Sequence, residues 1–205
     1  MRRTPLVVAA VIVCASLGSA AAGSPRVQAR ATNFANWSTY HGNKARTGYA
    51  PSMPRASGAP KVTGRHSLDG NVYASPLVVG GRIFVATEND SVYAIQGGKV
   101  VWRRHLASPA QQNELPCGNI FPLGITGTPV IANGVLYAAA EFGSPPRHIL
   151  FALRASSGAV LWHRTLDRFG VDKTAMQERG ALLVAGSRVW VPFGGLAGDC
   201  GDYKG

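Results

Sequence analysis

Few side chains in this sequence of 205 residues could do chemistry, and only ten of them are acidic. The stretch "TENDSVYAI" places Glu88 and Asp90 on either side of Asn89, an oxygen-rich grouping of the kind that holds calcium. Asn-Asp-Ser is also the composition of a turn between two strands, and that is the reading adopted. A second acidic pair, Asp199 and Asp202, lies in the glycine-rich "GGLAGDCGDYKG", where glycines let backbone approach a ligand closely, so these two are the candidate ligand-loop residues. The five histidines, His41, His66, His105, His148 and His163, have neither a helical zinc spacing nor a second ligand type beside them. They read as surface or core residues, and no metal ligand is assigned. Without a Gly-x-Ser-x-Gly elbow, a P-loop or a dinucleotide fingerprint, no catalytic residue is assigned either.

The residues that position these groups begin after a leader. Arg2 and Arg3, a continuous apolar run from Leu6 to Leu17 and then small residues make residues 1–22 a secretory signal peptide. The run is about a dozen residues, short of the roughly 20 that span a bilayer, so no membrane insertion is expected after cleavage. The expected location is secreted or periplasmic. A hydrophobic content of 46% against 15% charged residues supplies a core. Loss of Arg2 and Arg3 leaves the mature chain two charges below the +11 of the whole. Such a charge attracts anionic surfaces through long-range fields, but the cations are scattered and export argues against nucleic acid as a partner. Cys117 and Cys200 remain in a compartment where disulfides persist, either as one bridge or as two unpaired thiols.

Self-comparison shows a repeat. Pro76 and Pro129 are 53 residues apart, as are Gly81 and Gly134, and a third copy starts at "GALLVAGSRVWVPFGG", with Trp190 in the place of Phe84 and Tyr137 after a slight shift. The offset grows to 60 at Trp102 and Trp162, which puts the extra residues in loops. "PLVVGGRIFVAT" and "PVIANGVLYAAA" are two apolar runs split by Gly80-Gly81 and Asn133-Gly134, tight-hairpin signals. "SVYAI" and "HILFAL" follow as third strands, and "KVVW" and "AVLWHRTL" as fourth strands. Four short antiparallel strands per copy, with no helical periodicity, predict an all-β propeller of four-stranded blades. Trp102 and Trp162, one flat ring near each outer strand, are structural residues filling the space between neighbouring sheets.

"FALRASSGAVLW" resembles the tryptophan-docking repeat of the pyrroloquinoline quinone (PQQ) propellers, with Ala152, Gly158 and Trp162 at the matching spacing. "YAIQGGKVVW" matches in Ala94, Gly98, Lys99 and Trp102 with a shorter turn. Arg154 stands where the family has aspartate, and Ala159 where it has lysine. "NWSTYHGNKARTGYAP" and "CGNIFPLGITGTPV" are similar to secreted bacterial PQQ-like repeat proteins with no assigned reaction. What the resemblance implies differs among three groups. Quinoprotein dehydrogenases hold PQQ with calcium at the ring centre, with an aspartate base and typically two adjacent cysteines under the cofactor; no Cys-Cys pair occurs here. A periplasmic lipoprotein propeller of outer-membrane assembly is a binding platform without chemistry. Exported propellers of unknown ligand form the third group.

Within the propeller reading, residues 23–60 form an N-terminal extended segment and residues 61–205 a partial propeller. Blade one covers 72–106, blade two 125–166, and the start of blade three 180–205. "KVTGRHSL" aligns with "VVWRRHL" and is expected to be an outermost fourth strand. Two and a half blades are fewer than the four or more of a closed ring, so the chain reads as a fragment of a protein about twice as long. Linkers between blades and second-to-third-strand loops share one face of a propeller. Cys117 in the one and Cys200 in the other are therefore expected to form a disulfide. The function expected is that of an exported, non-catalytic binding or scaffold module with a ligand or protein partner on the propeller face. The alternative is a fragment of a PQQ-dependent quinoprotein dehydrogenase.

Overall fold

Glycines open each hairpin. Gly80 and Gly81 have φ of 59° and 73°, and Asn133 and Gly134 have 49° and 76°, the left-handed pair that closes a two-residue antiparallel turn. The computed structural model describes residues 36–51, 53, 57–167 and 172–203, and the leader expected over 1–22 lies outside them. Strands β1 (Leu77–Val79), β2 (Arg82–Ala86), β3 (Ser91–Gln96) and β4 (Lys99–His105) form one antiparallel sheet in chain order. Strands β5 (Val130–Ala132), β6 (Val135–Phe142), β7 (Arg147–Arg154) and β8 (Val160–Thr165) form a second in the same order. Then β9 (Met176–Gln177) pairs with β12 (Gly194–Gly195), and β10 (Leu183–Ala185) pairs with β11 (Arg188–Trp190) as a third inner hairpin. The chain is an all-β, incomplete propeller with two full blades and the first two strands of another.

Register keeps the repeat in phase. Leu77 faces Phe84, Val130 faces Tyr137 and Leu183 faces Trp190, so the third hairpin follows the 53-residue offset without the slight shift expected for Trp190. Both full blades carry an irregularity at the same place, after Ala94 and after Ala152, where each outer strand accommodates one extra residue.

Period-two alternation explains how one sheet serves two cores. Ala138 and Ala140 of β6 and Phe151 and Leu153 of β7 join Phe84, Val92 and Ala94 in the core between the first and second blades. Ala139 and Leu150, the alternate residues, join Val130 and Leu182 in the core toward the third hairpin. Leu136 and Leu153 are fully buried. Each such side chain contributes about 1.5–3 kcal/mol.

The inner edges are covered from the N-terminal side. Trp37 and Val78 exchange both backbone hydrogen bonds, and Ser38 O accepts from Ile131 N at 2.8 Å, so one segment crosses β1 and β5 and blunts both edges. Residues 61–68, expected as an outermost fourth strand whose three partner strands would come from the far end of the ring, carry no strand, and no strand among the described residues offers them a ladder of backbone partners.

Candidate functional site

Antiparallel order gives each blade two ends. The β1–β2, β3–β4, β5–β6, β7–β8 and β10–β11 turns lie at one end; the β2–β3 and β6–β7 loops and the linkers between blades lie at the other, the loop end. All ten carboxylate side chains of the chain lie at the loop end.

In the first blade, Asp69 accepts from Thr87 Oγ1, Asn89 Nδ2, Ser91 Oγ and the Arg103 guanidinium. Burial opposes its ionisation, but the hydroxyl and amide donors outweigh it and hold the carboxyl below its ordinary range. Glu88 Oε1 accepts from the backbone N–H and the side-chain amide of Asn71. Asp90, at φ 54°, is fully buried. Burial pushes its carboxyl well above the carboxylate range, the charge of Glu141 adds to this, and the Ile125 N–H works against it. Gly124 passes so close that a Cβ there would fall on Asp90 Oδ1 and Glu88 O. "TENDSVYAI" is thus a turn, with its acids turned inward.

The second blade and its exit linker surround His148, which is 1% exposed. Its Nδ1 donates to Asp167 Oδ1 at 2.9 Å, and its Nε2 lies 3.3 Å from both Met176 O and Glu141 Oε2, one N–H between two acceptors. Burial disfavours the imidazolium, yet the bonds to Asp167 and Glu141 prevail and raise its pKa to about 9. Glu141 itself is pushed up by burial against the pull of His148. Beside them Glu178, also buried, is raised well above the carboxylate range, chiefly by desolvation. No donor among the described residues reaches either of its oxygens. A Cβ on Gly127 would fall within the Glu178 carboxylate, so only glycine lets the linker pass.

Cys117 and Cys200 form a disulfide with Cα atoms 6.1 Å apart. Around it Ala110, Ile120, Leu123 and Leu196 make a small apolar cluster that ties the linker into blade two to the loop after β11. Asp199 accepts from Tyr203 Oη at 2.8 Å, and Asp202 O accepts from Asp172 N. The Tyr203 ring packs against Gly195, which lines a groove of about 340 Å³ with Gln177, Arg179, Pro192, Phe193 and Ala197. Asp199 thus holds a ring that packs beside a groove carrying one cation and one aromatic ring, without lining that groove itself.

Trp102 is packed between blades, whereas Trp162 is 43% exposed with Tyr137 as its ring neighbour. Sequence reasoning did not single out Glu141, His148 or Glu178. One signal was present: Glu141 follows Glu88 by the 53-residue offset, in a chain with few acids. No group of three or more His, Cys, Asp or Glu side chains that could hold a metal ion occurs among the described residues. No helix among them is long and apolar enough to cross a membrane. What the arrangement does chemically is store protons and fasten loops. Its sealed carboxyls, Asp90 and Glu178, do not open on the groove.

A protein-family model described as outer membrane protein assembly factor BamB, of the PQQ-like repeat class, matches residues 54–198. No curated protein matches the chain. Among solved structures, the chain is similar to quinohemoprotein alcohol dehydrogenase from Comamonas testosteroni, at 21% identity and TM-score 0.55, over 78% of this chain and 23% of that one. It is also similar to BamB from Moraxella catarrhalis, at 16% identity and TM-score 0.45, over 62% of this chain and 35% of that one. A europium-containing methanol dehydrogenase matches at 25% identity and TM-score 0.44, over 58% of this chain and 20% of that one. The chain thus spans well under half the length of each.

Proposed function

We propose, from the premise that this chain belongs to the PQQ-like β-propeller repeat family whose model is described as outer membrane protein assembly factor BamB, that it is an exported, non-catalytic binding module. The observation that carries this reading is how the loop-end acids are used. Asp69, Glu114, Asp167 and Asp199 accept hydrogen bonds from the chain itself, and Asp90, Glu141 and Glu178 are sealed beneath the linkers. No carboxylate lines either the groove beside Arg179 or the one beside Lys44.

The residues present do not fit PQQ with calcium. The disulfide joins cysteines 83 positions apart rather than adjacent ones, and the buried carboxyls that could ligate a cation face glycine backbone instead of the groove. The groove beside Arg179 and Phe193, with Asp199 and Asp202 in the neighbouring loop, is the surface we assign to a protein partner or ligand. A disulfide agrees with an oxidising, extracytoplasmic setting, and so does the leader expected over residues 1–22.

Two measurements test the reading. Adding PQQ with calcium should leave the melting temperature unchanged. A ligand at a hundred times its Kd would stabilise by about 2.7 kcal/mol, so a rise of several degrees would overturn the proposal in favour of a dehydrogenase fragment. A photo-crosslinking residue in place of Ala197, in cells, should yield a discrete adduct that is lost in Arg179→Ala; no adduct, or one indifferent to Arg179, counts against the groove.

A further inference from the structure

The confinement of all ten carboxylate side chains to the loop end leaves the turn end with none. What that end does carry is cationic. Arg82 opens β2, Lys99 opens β4, Arg154 closes β7 and Arg188 opens β11, each beside a turn. Lys44, from the N-terminal segment, lines a groove with Asn133, Gly134 and Gly186 and so joins the same end. The first two blades are locked together there, because Arg82 of the first donates to Ala155 O and Ser156 O of the second. Arg82 is spent on these bonds and on Gln96, which leaves four exposed cations, Lys44, Lys99, Arg154 and Arg188, on neighbouring turns.

The turns themselves carry only small side chains. A Cβ on Gly80, Gly81, Gly97, Gly98, Gly134 or Gly186 would meet nothing within 4 Å, and the remaining turn residues Asn133, Ser156, Ser157 and Ser187 are short and uncharged, so the long cationic side chains are the charged groups of this end. Val100 and Val160, 44% and 43% exposed, start the outer strands just inside the same end. Exposed cations spread over neighbouring turns, with no carboxylate among them and aliphatic side chains behind them, are complementary to an extended anionic surface such as a layer of lipid head groups.

We propose that the turn end docks peripherally on a bilayer of anionic lipid head groups, leaving the loop end facing away from the membrane. This surface lies opposite the groove assigned above and does not depend on what that groove binds. Near an anionic membrane each Lys or Arg contributes about a fivefold gain in affinity, attenuated by salt within a Debye length.

The test is co-sedimentation of the full chain with vesicles of phosphatidylcholine alone or with one third phosphatidylglycerol. Binding should require the anionic lipid and weaken as salt is added. The triple variant Lys99→Gln, Arg154→Gln, Arg188→Gln should lose about a hundredfold in affinity, three steps of about fivefold. A control triple, Arg147→Gln, Arg164→Gln, Lys173→Gln, removes the same charge away from the turns and should bind nearly as the parent does, with circular dichroism confirming that both fold. No binding to anionic vesicles at low salt overturns the proposal. So do equal losses in the two triples, which would mean net charge alone, and binding to polyglutamate but not to vesicles, which would mean an acidic protein.

Discussion

Trp102 of the first blade lies against Gly158 of the second: its indole fills the space that a Cβ on Gly158 would need, and its N–H donates to Ala155 O at 3.2 Å. Arg104 donates to Gly158 O at 2.9 Å, and Arg82 to Ala155 O and Ser156 O, so one turn receives four donor contacts from the blade before it. The glycine is required twice, for its φ of 70° and for the ring.

Gly158→Ala should therefore destabilise the chain by about 3 kcal/mol, from overpacking against the indole together with a left-handed backbone. Urea unfolding measures it. Trp102→Ala should cost a similar amount, and the double variant less than the sum of the two, because both remove one contact. Strict additivity would mean that the turn and the ring do not cooperate.

Trp162 offers the contrast. It stands where Trp102 stands in the repeat, but 43% of it is exposed, and no turn among the described residues receives it. Trp162→Ala should cost about 1 kcal/mol, the order of an aromatic pair with Tyr137 rather than of a buried anchor. A loss equal to that of Trp102→Ala would show that the ring is covered in solution, which analytical ultracentrifugation would then explain as self-association or exclude.

The two tryptophans show what the sequence makes legible. Gly80-Gly81 and Asn133-Gly134 announce hairpins, and the 53-residue offset announces blades, because turn chemistry and strand period are local properties. Whether a given ring is covered depends on the next blade, and no local pattern reports that. The site is less legible for the same reason. Asp90, Glu141, His148, Asp167 and Glu178 are spread over 88 positions, and only the closure of two linkers over the sheets makes neighbours of them. Each alone reads as a turn residue or a surface charge. Asp199 and Asp202 are marked in the sequence only by the glycines that flank them, and the loop uses Asp199 to hold Tyr203.

The disulfide closes a span of 83 residues between the first linker and the third hairpin, and reduction should cost about 4 kcal/mol in the chain-entropy account. Melting in the presence and absence of a reductant should differ by roughly 10 °C for a domain of this size. Cys117→Ser with Cys200→Ser should reproduce the loss and abolish the effect of reductant. A shift that persists in the double variant would trace the effect to something other than the bridge.

Buried acids give the stability a direction in pH. Asp90, Glu141 and Glu178 have carboxyls raised by burial, so the folded chain keeps protons that the unfolded chain has released. Their contribution is complete below the ordinary carboxylate values, 3.8 for Asp90 and 4.5 for the two glutamates, and is lost as pH rises toward their folded values. His148, raised from 6.5 to about 9, has the same sign: its contribution is complete below 6.5 and gone above 9. Asp69 and Asp167, both lowered, act oppositely and lose their contribution as pH falls below the ordinary aspartate value of 3.8. Stability should therefore peak on the acid side of neutrality and decline steadily into the alkaline range. Glu178→Gln separates one member of the set, because the amide carries no charge at any pH. Its unfolding free energy in urea should match the parent near about pH 4 and exceed it near about pH 8.5, by about 1.4 kcal/mol for each pH unit over which the folded chain keeps a proton that the unfolded chain has lost. A gain of equal size at both pH values would assign the effect to packing, and no gain at the higher pH would mean that Glu178 finds a compensating cation there.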